Sequence, residues 1–314
     1  MLEILGDLLS VEFGYSVLRV TTPVLFAALA GVISDRAGII NIGLEGLMLI
    51  SALVAVVVSA FTGSAFVGVL VAAAISTLVA VIMGWFYLKL KTHIILVGIA
   101  VNLMASGGTV FALYTISGDR GMSSSLLSKT LPTIDIPIIE LIPGVGGIIS
   151  GHNILTYLSF ISVFVLWFFL FKTSTGLRIR VVGENPEAAL SVGVSIAKIK
   201  YLAIAISGFL SGLGGAYLSM GYVSWFSRDM TAGRGFIGLA AAALGAQHPF
   251  GAMLSSLLFG FTDALSNYMS MLRIPSEFVQ MIPYLATVII LTVFAGRSSM
   301  KLGNANRLGR KKEI

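Results

Sequence analysis

Apolar residues run along this chain in blocks of about 20, the length that crosses the hydrocarbon core of a bilayer as a helix. Six such blocks stand at residues 14–33, 39–60, 65–88, 94–116, 154–171 and 201–222. A shorter apolar piece at 236–246 follows, and then 250–271 and 278–294. By the same rule the piece at 236–246 covers roughly half a bilayer. Within "SGFLSGLGGAYLSMG" the residues Gly208, Gly212 and Ala216 share one helix face, small enough to let a neighbouring helix approach closely. The pattern predicts an all-α integral membrane protein, a single transmembrane domain over 1–314. It should be a bundle of about nine to ten spanning helices, some of them broken or re-entrant.

Composition strengthens this reading and removes others. The 314 residues are 57% hydrophobic and 11% charged, with mean hydropathy +0.98, too apolar for a water-soluble core of this size. There is no cysteine, which excludes thiolate metal sites, disulfide scaffolds and cysteine nucleophiles. The opening "MLEILGDLLSVEFG" lacks a basic n-region and carries Glu3, Asp7 and Glu12, so the first span is expected to act as its own insertion signal. The net charge of +6 reads as topology, with no nucleic-acid partner implied. Lys172, Arg178, Arg180, Lys198 and Lys200 sit in the loop 172–200, and Arg297, Lys301, Arg307, Arg310, Lys311 and Lys312 in the tail 297–314. Basic residues collect on the cytoplasmic side, which places that loop and the basic C-terminal tail inside, together with Lys89 and Lys91. The loop 118–152 holds Arg120 and Lys129 against Asp119, Asp135 and Glu140 and falls outside. The scheme closes with the N-terminus outside and nine crossings, or ten if the amphipathic start enters the membrane.

Polar residues inside such blocks are costly and carry information. In "DRAGIINIGLEGLMLI", Asp35, Arg36, Gly38, Asn41, Gly43, Glu45 and Gly46 interrupt an apolar run. Glycines weaken the helix, and irregular backbone at membrane depth is tolerated only where it faces protein or a water-filled cavity. Two readings stand for Glu45. It faces a solute path with Asn41, or it pairs with Arg36 or caps neighbouring backbone near the cytoplasmic surface. Asn102, Gln247, His248, Asp263 and Asn267 form a second set, as interhelical hydrogen bonds or as parts of the same path. The path set is Asn41, Glu45, Asn102, Asp263 and Asn267.

A third feature is the polar segment "VGENPEAALSVGVSIAKIK". Asn185 suits an N-cap, Pro186 the first helical position, Glu187 the positive end of the dipole and Gly193 the stop. A helix this short is marginal in water. Its Ala188, Ala189 and Leu190 face therefore needs cover, from a soluble partner or from the membrane surface.

Three function classes compete. A transport subunit fits the broken helices. It would need ATP hydrolysed by another chain, since no G-x-x-x-x-G-K-[ST] phosphate loop occurs. An ion-driven transporter would use Glu45 and Asp263 as its ion site but has no need of a docking helix. An intramembrane enzyme is opposed by the sequence, whose three histidines, His93, His152 and His248, form no H-E-x-x-H pair, and no G-x-S-x-G elbow is present.

The segments "DRAGIINIGLEGLMLI", "GENPEAALSVGVSIAKIKYLAIAISGFLSGLGGAYLSMGYVSWFSRDMTAGRGFIGLAAAALGAQHPFGA" and "LLFGFTDAL" together resemble permease subunits of nucleoside-type ATP-binding-cassette importers. That group extends to simple-sugar and branched-chain amino-acid permeases. The resemblance covers nearly the whole chain after the first dozen residues. One departure is "AQHPFG", where the family often has Asn or Trp followed by Asn-Pro. The resemblance implies a non-enzymatic subunit of a bacterial cytoplasmic membrane, translocating nucleosides, with simple sugars as the alternative. It implies a second, homologous permease, two ATP-binding subunits that use ATP and Mg, and an extracellular or periplasmic solute-binding (lipo)protein. No cofactor is expected in this chain itself. Glu184, Asn185, Pro186, Glu187, Ala188, Ala189 and Leu190 would then be the coupling segment seated in an ATPase cleft.

Overall fold

The computed structural model describes residues 10–137, 145–269 and residue 292. The expected span at 278–294, apart from residue 292, and the tail 297–314 lie outside the described residues. Among the described residues, six helices are long and apolar enough to cross a membrane. In chain order the first four are α1 (Val11–Arg36), α2 (Leu44–Thr62), α3 (Ala65–Lys89) and α4 (Ile94–Ser117). Short pieces follow: β1 (Thr133–Ile134), α5 (Val145–Ile149) and β2 (His152–Asn153), with β1 and β2 antiparallel. Then come α6 (Ile154–Lys172), α7 (Ser174–Glu184), α8 (Pro186–Ser191) and α9 (Ile196–Tyr217), which runs on as a π-helical turn, Leu218–Tyr222. The half-length α10 (Arg234–Leu244) and α11 (Pro249–Met269) complete the described part. The fold is that of an all-α multi-pass membrane protein.

Helix α1 is the central post, packed on α9, α10 and α11. Ser10 caps its start by accepting from Phe13 N–H. Pro23 sits inside the helix and cannot donate to the carbonyl of Arg19. The phenol of Tyr217 donates to that carbonyl instead, at 3.0 Å, so the kink-prone position is locked to α9.

Helix α9 lies against α3 and α2 through the small face legible in the sequence. A Cβ on Gly212 would stand 2.8 Å from Ala73 Cα, so only glycine admits this approach. The close contact lets hydroxyls reach across: Ser76 Oγ donates to Gly208 O at 2.8 Å and Ser51 Oγ to Gly212 O at 2.5 Å. Small residues and interhelical hydrogen bonds replace the hydrophobic effect, which does not drive helix association inside lipid. Helix α4 turns the other way, with Leu103 71% and Phe111 72% exposed, an apolar surface suited to acyl chains.

At the end of the bundle away from α8, loops tie the helix ends together. Ser123 exchanges hydrogen bonds with Phe226, whose ring is fully buried, while Trp225 is exposed. Tyr15 donates to Gly151 O, and its ring stacks on His152 at 4.0 Å between centroids. The imidazole Nε2–H donates to Ile148 O at 2.8 Å. Burial holds the His152 pKa below its ordinary 6.5. The open form of this loop therefore takes up the proton first, and closure loses stability as pH falls through that ordinary value. Protection of the amides around Gly151 and His152, taken relative to the intrinsic exchange rate at each pH, should fall between pH 7 and pH 5 in the wild type, and His152→Phe should flatten that dependence.

Candidate functional site

Between α1 and α2 the chain breaks. Gly38 at φ +72° reverses it, and six residues later α2 begins with no side-chain cap of its own. The four leading N–H groups of a helix need acceptors from elsewhere. Asn102 of α4 supplies one: its Oδ1 accepts from Gly46 N–H at 2.8 Å, and its Nδ2 donates to Ile42 O at 3.0 Å. Asn41, 2% exposed, accepts from Gly43 N–H at 3.2 Å and donates to Ser207 Oγ of α9 at 3.0 Å. These two amides thus hold irregular backbone that would otherwise be unsatisfied at membrane depth.

Glu45 performs the same office for a different helix. Helix α10 starts from Gly233, in the left-handed conformation at φ +81°, and has no side-chain cap of its own. The Gly233 N–H donates to Glu45 Oε1 at 2.8 Å and the Gly235 N–H to Glu45 Oε2 at 2.7 Å. A Cβ on Gly235 would lie 2.6 Å from Glu45 N, so glycine is what allows the α10 start to abut the α2 start. The carboxylate therefore faces two helix N-termini at once, its own and that of α10. Arg36 does not pair with it. The Arg36 guanidinium donates instead to Gln247 O at 2.8 Å and Ala246 O at 3.4 Å. Of the alternatives raised by sequence, pairing with Arg36 is not what the structure has, and capping of backbone is.

Asn102 lies eight residues from the start of α4, about 12 Å along its axis at 1.5 Å per residue, and the start of α2 is level with it. The 11 residues of α10 span about 16 Å, half a bilayer. The chain between the π turn and Gly233 must therefore descend into the layer before α10 begins. Ser106 of α4 donates to Asp229 Oδ1 at 2.8 Å on the way.

The remaining candidates are distributed around this junction. Asp263 of α11 lies 3.4 Å from Arg234 Nη2, beside the start of α10. Asn267, one turn further along α11, lines a separate cavity of about 340 Å³ with Ser10, Glu12, Phe13, Ser16, Ala264 and Tyr268. Asn41, Glu45 and Asn102 thus meet at one break, Asp263 reaches it through Arg234, and Asn267 stands apart. The partners Gly233, Gly235, Arg234 and Ser207 were not singled out from sequence. The glycines of "GRGFIG" just ahead of a half-length apolar piece were the available signal.

Helix α8 forms as expected, with Asn185 Oδ1 accepting from Ala188 N–H at 3.0 Å and Gly193 at φ +79° ending it. Its burial differs from the expected single face. Ala189 is fully buried by the chain itself, whereas Leu190 is 63% and Val192 73% exposed. Ala188, Glu184 and Glu187 are exposed too. Among the described residues no cluster of ligating side chains could hold a metal.

A helix bundle with a broken span, a half-length helix whose start is capped by a carboxylate from a neighbouring span, and a short helix at one end is the architecture of a multi-pass membrane protein with polar groups gathered at a helix break. The family model described as branched-chain amino acid transport system / permease component matches residues 15–291. The chain belongs to that family. It is 36% identical over 293 residues to the guanosine ABC transporter permease protein NupQ of Bacillus subtilis, covering 90% of this chain and 91% of that one. The nucleoside ABC transporter permease protein NupC of Lactococcus lactis is also 36% identical, with 88% and 90% covered. A putative glucose ABC transporter permease protein of Haloferax volcanii, TsgC13, is 34% identical over 250 residues, with 79% and 74% covered. No solved structure matches the chain.

Proposed function

We propose that this chain is a transmembrane subunit of an ATP-binding-cassette importer that carries nucleosides across a bacterial cytoplasmic membrane. The observation that carries the reading is likeness along nearly the full length of both chains to two permeases named for guanosine and nucleosides. The subunit has no catalytic residues of its own. ATP and Mg are used by two separate ATP-binding subunits, and a homologous second permease completes the pore. A solute-binding (lipo)protein delivers the solute at the end bearing loop 118–152.

In this reading the α8 end is cytoplasmic and α8 seats in an ATPase cleft, presenting Leu190 and Val192 rather than Ala189. The solute passes beside the start of α10, where Glu45, Asn102 and Asp263 are half-buried, with Asn41 bracing the wall from behind and Asn267 nearer the outer mouth. Amides and carboxylates there match the hydroxyls and ring N–H groups of a nucleoside. Topology is testable at Trp225: a cysteine there should react with an impermeant maleimide from outside intact cells, and labelling only after lysis would reverse the orientation.

A second reading, simple-sugar import, is favoured by the likeness to the permease named for glucose. Competition separates the two. Uptake of labelled guanosine by cells expressing the complete system should be suppressed by excess unlabelled nucleosides and unaffected by ribose or glucose. Uptake of labelled ribose or glucose that nucleosides do not suppress would establish the sugar reading.

A further inference from the structure

The geometry points to Arg36 and Gly183 as the mechanical link that carries motion of α8 to α10, making them positioning residues for solute passage. The inference rests on the transport reading above. Its first element is the close approach of two backbones. Gly183 lies at the end of α7, two residues before the Asn185 cap of α8. A Cβ on it would stand 2.2 Å from Arg36 O and 2.9 Å from Gly38 N. With main chain against main chain there is no flexible side chain between them to absorb a displacement, and close-packed interiors transmit strain. A shift of α8 therefore reaches the α1 end directly.

The second element is what the α1 end holds. The Arg36 guanidinium donates to the carbonyls of Gln247 and Ala246, directly beyond the last turn of α10. A cation at a helix C-terminus is electrostatically favourable. Gln247 returns a bond from Nε2 to Asp35 Oδ2 at 3.3 Å, so the two segments are tied twice. Ala246 and Gln247 are both left-handed at φ +54°. Non-glycine residues persist in that region only where their surroundings hold them, and Arg36 and Asp35 supply the holding bonds. The guanidinium also lies over the Phe171 ring at 5.8 Å, beside α7.

The third element is the other end of α10, fixed by Glu45 at the start of α2. Helix α10 is thus a short strut clamped at both ends, one clamp contiguous with the α8 segment and the other beside the path assigned to solute. Motion entering at Gly183 has a continuous route of backbone contact and hydrogen bonds to Gly233 and Gly235.

The test uses the complete importer in proteoliposomes, with solute uptake and ATP hydrolysis measured together. Arg36→Gln keeps most of the side-chain length but loses the charge and the fork. It should retain ATP hydrolysis within about twofold while uptake per ATP falls at least tenfold. Arg36→Lys, able to serve one carbonyl, should recover part of that loss. Gly183→Ala leaves every Arg36 donor in place, yet its methyl must push the backbones apart, so it should uncouple in the same way and decides the matter if Arg36→Gln fails to assemble. A distance probe separates transmission from simple damage. The chain has no native cysteine, so spin labels at Phe236→Cys on α10 and Phe61→Cys at the far end of α2 are unambiguous. Their distance should change on ATP binding in the otherwise wild-type protein and stay fixed in the Arg36→Gln background. Unchanged uptake per ATP in both variants, or equal loss of hydrolysis and uptake in an assembled complex, would overturn the link. Absence of ATP-driven uptake in the wild type would instead sink the transport reading.

Discussion

Replacement of Glu45 by leucine should abolish solute uptake and lower the stability of the folded chain. The carboxylate is the acceptor for the Gly233 and Gly235 amides at 2.8 Å and 2.7 Å, and leucine offers none. Each buried donor left without a partner costs about 1–3 kcal/mol. Discounting Gly233, which is only partly buried, the loss is roughly 2–4 kcal/mol, seen as earlier thermal unfolding in detergent. Glu45→Gln keeps one acceptor oxygen but brings an amide N–H2 towards a backbone donor, so it should fall between wild type and leucine in both stability and uptake. Gly235→Ala attacks the same junction from the other side, since its methyl would meet the Glu45 backbone. A leucine variant that unfolds at the wild-type temperature and transports normally would show that α10 does not depend on this cap.

Leu190→Asp should sever the permease from its ATPase while leaving membrane insertion intact. Leu190 is exposed at the tip of a six-residue helix, and a large apolar side chain displayed there is the kind of anchor that fills a partner's pocket. A carboxylate buried in such a pocket without a counter-charge is strongly disfavoured. The expected outcome is loss of co-purified ATPase and at least a tenfold fall in uptake, with the chain still extracted as a folded membrane protein. Val192→Asp should act in the same direction. Ala189 is the wrong place to ask the question, because it is fully buried within the chain and a large residue there would disturb α8 itself. Retained ATPase binding and full uptake in Leu190→Asp would remove α8 from the interface.

The spans were legible because lipid imposes both length and apolarity. The blocks 65–88 and 94–116 differ from α3 and α4 by a residue at most at either end. The half-length piece 236–246 appears as α10, starting two residues earlier. The block 39–60 was less faithful: its first residues are the break, and α2 begins only at Leu44. Hydropathy cannot see that break, since Ile39, Ile40 and Ile42 are as apolar as any helix residue; only the interleaved glycines and Asn41 betray it. Helix α7 was not anticipated, because "STGLRIRVVGE" reads as a basic loop, although Thr173 and the buried Ile179 and Val182 make it an ordinary capped amphipathic helix.

The site was legible in its members and not in its bonds. An acid inside an apolar run announces that something must satisfy it, and Glu45 was found that way. Its partners lie nearly two hundred positions away, and no local pattern pairs a carboxylate with two backbone amides of a distant half-helix. An expectation that leucine would be at home at position 45 follows from depth alone. It fails to count the two amides that need an acceptor.

The central claim is ATP-driven nucleoside transport through a pore that this subunit helps to form. Its most direct measurement is uptake of labelled guanosine into proteoliposomes holding the purified complex with ATP and Mg enclosed on the ATPase side and the binding protein outside. The account predicts accumulation above the external concentration, absent when ATP is replaced by a non-hydrolysable analogue and absent with Leu190→Asp. Accumulation that persists without ATP and collapses when a proton or sodium gradient is dissipated would contradict it.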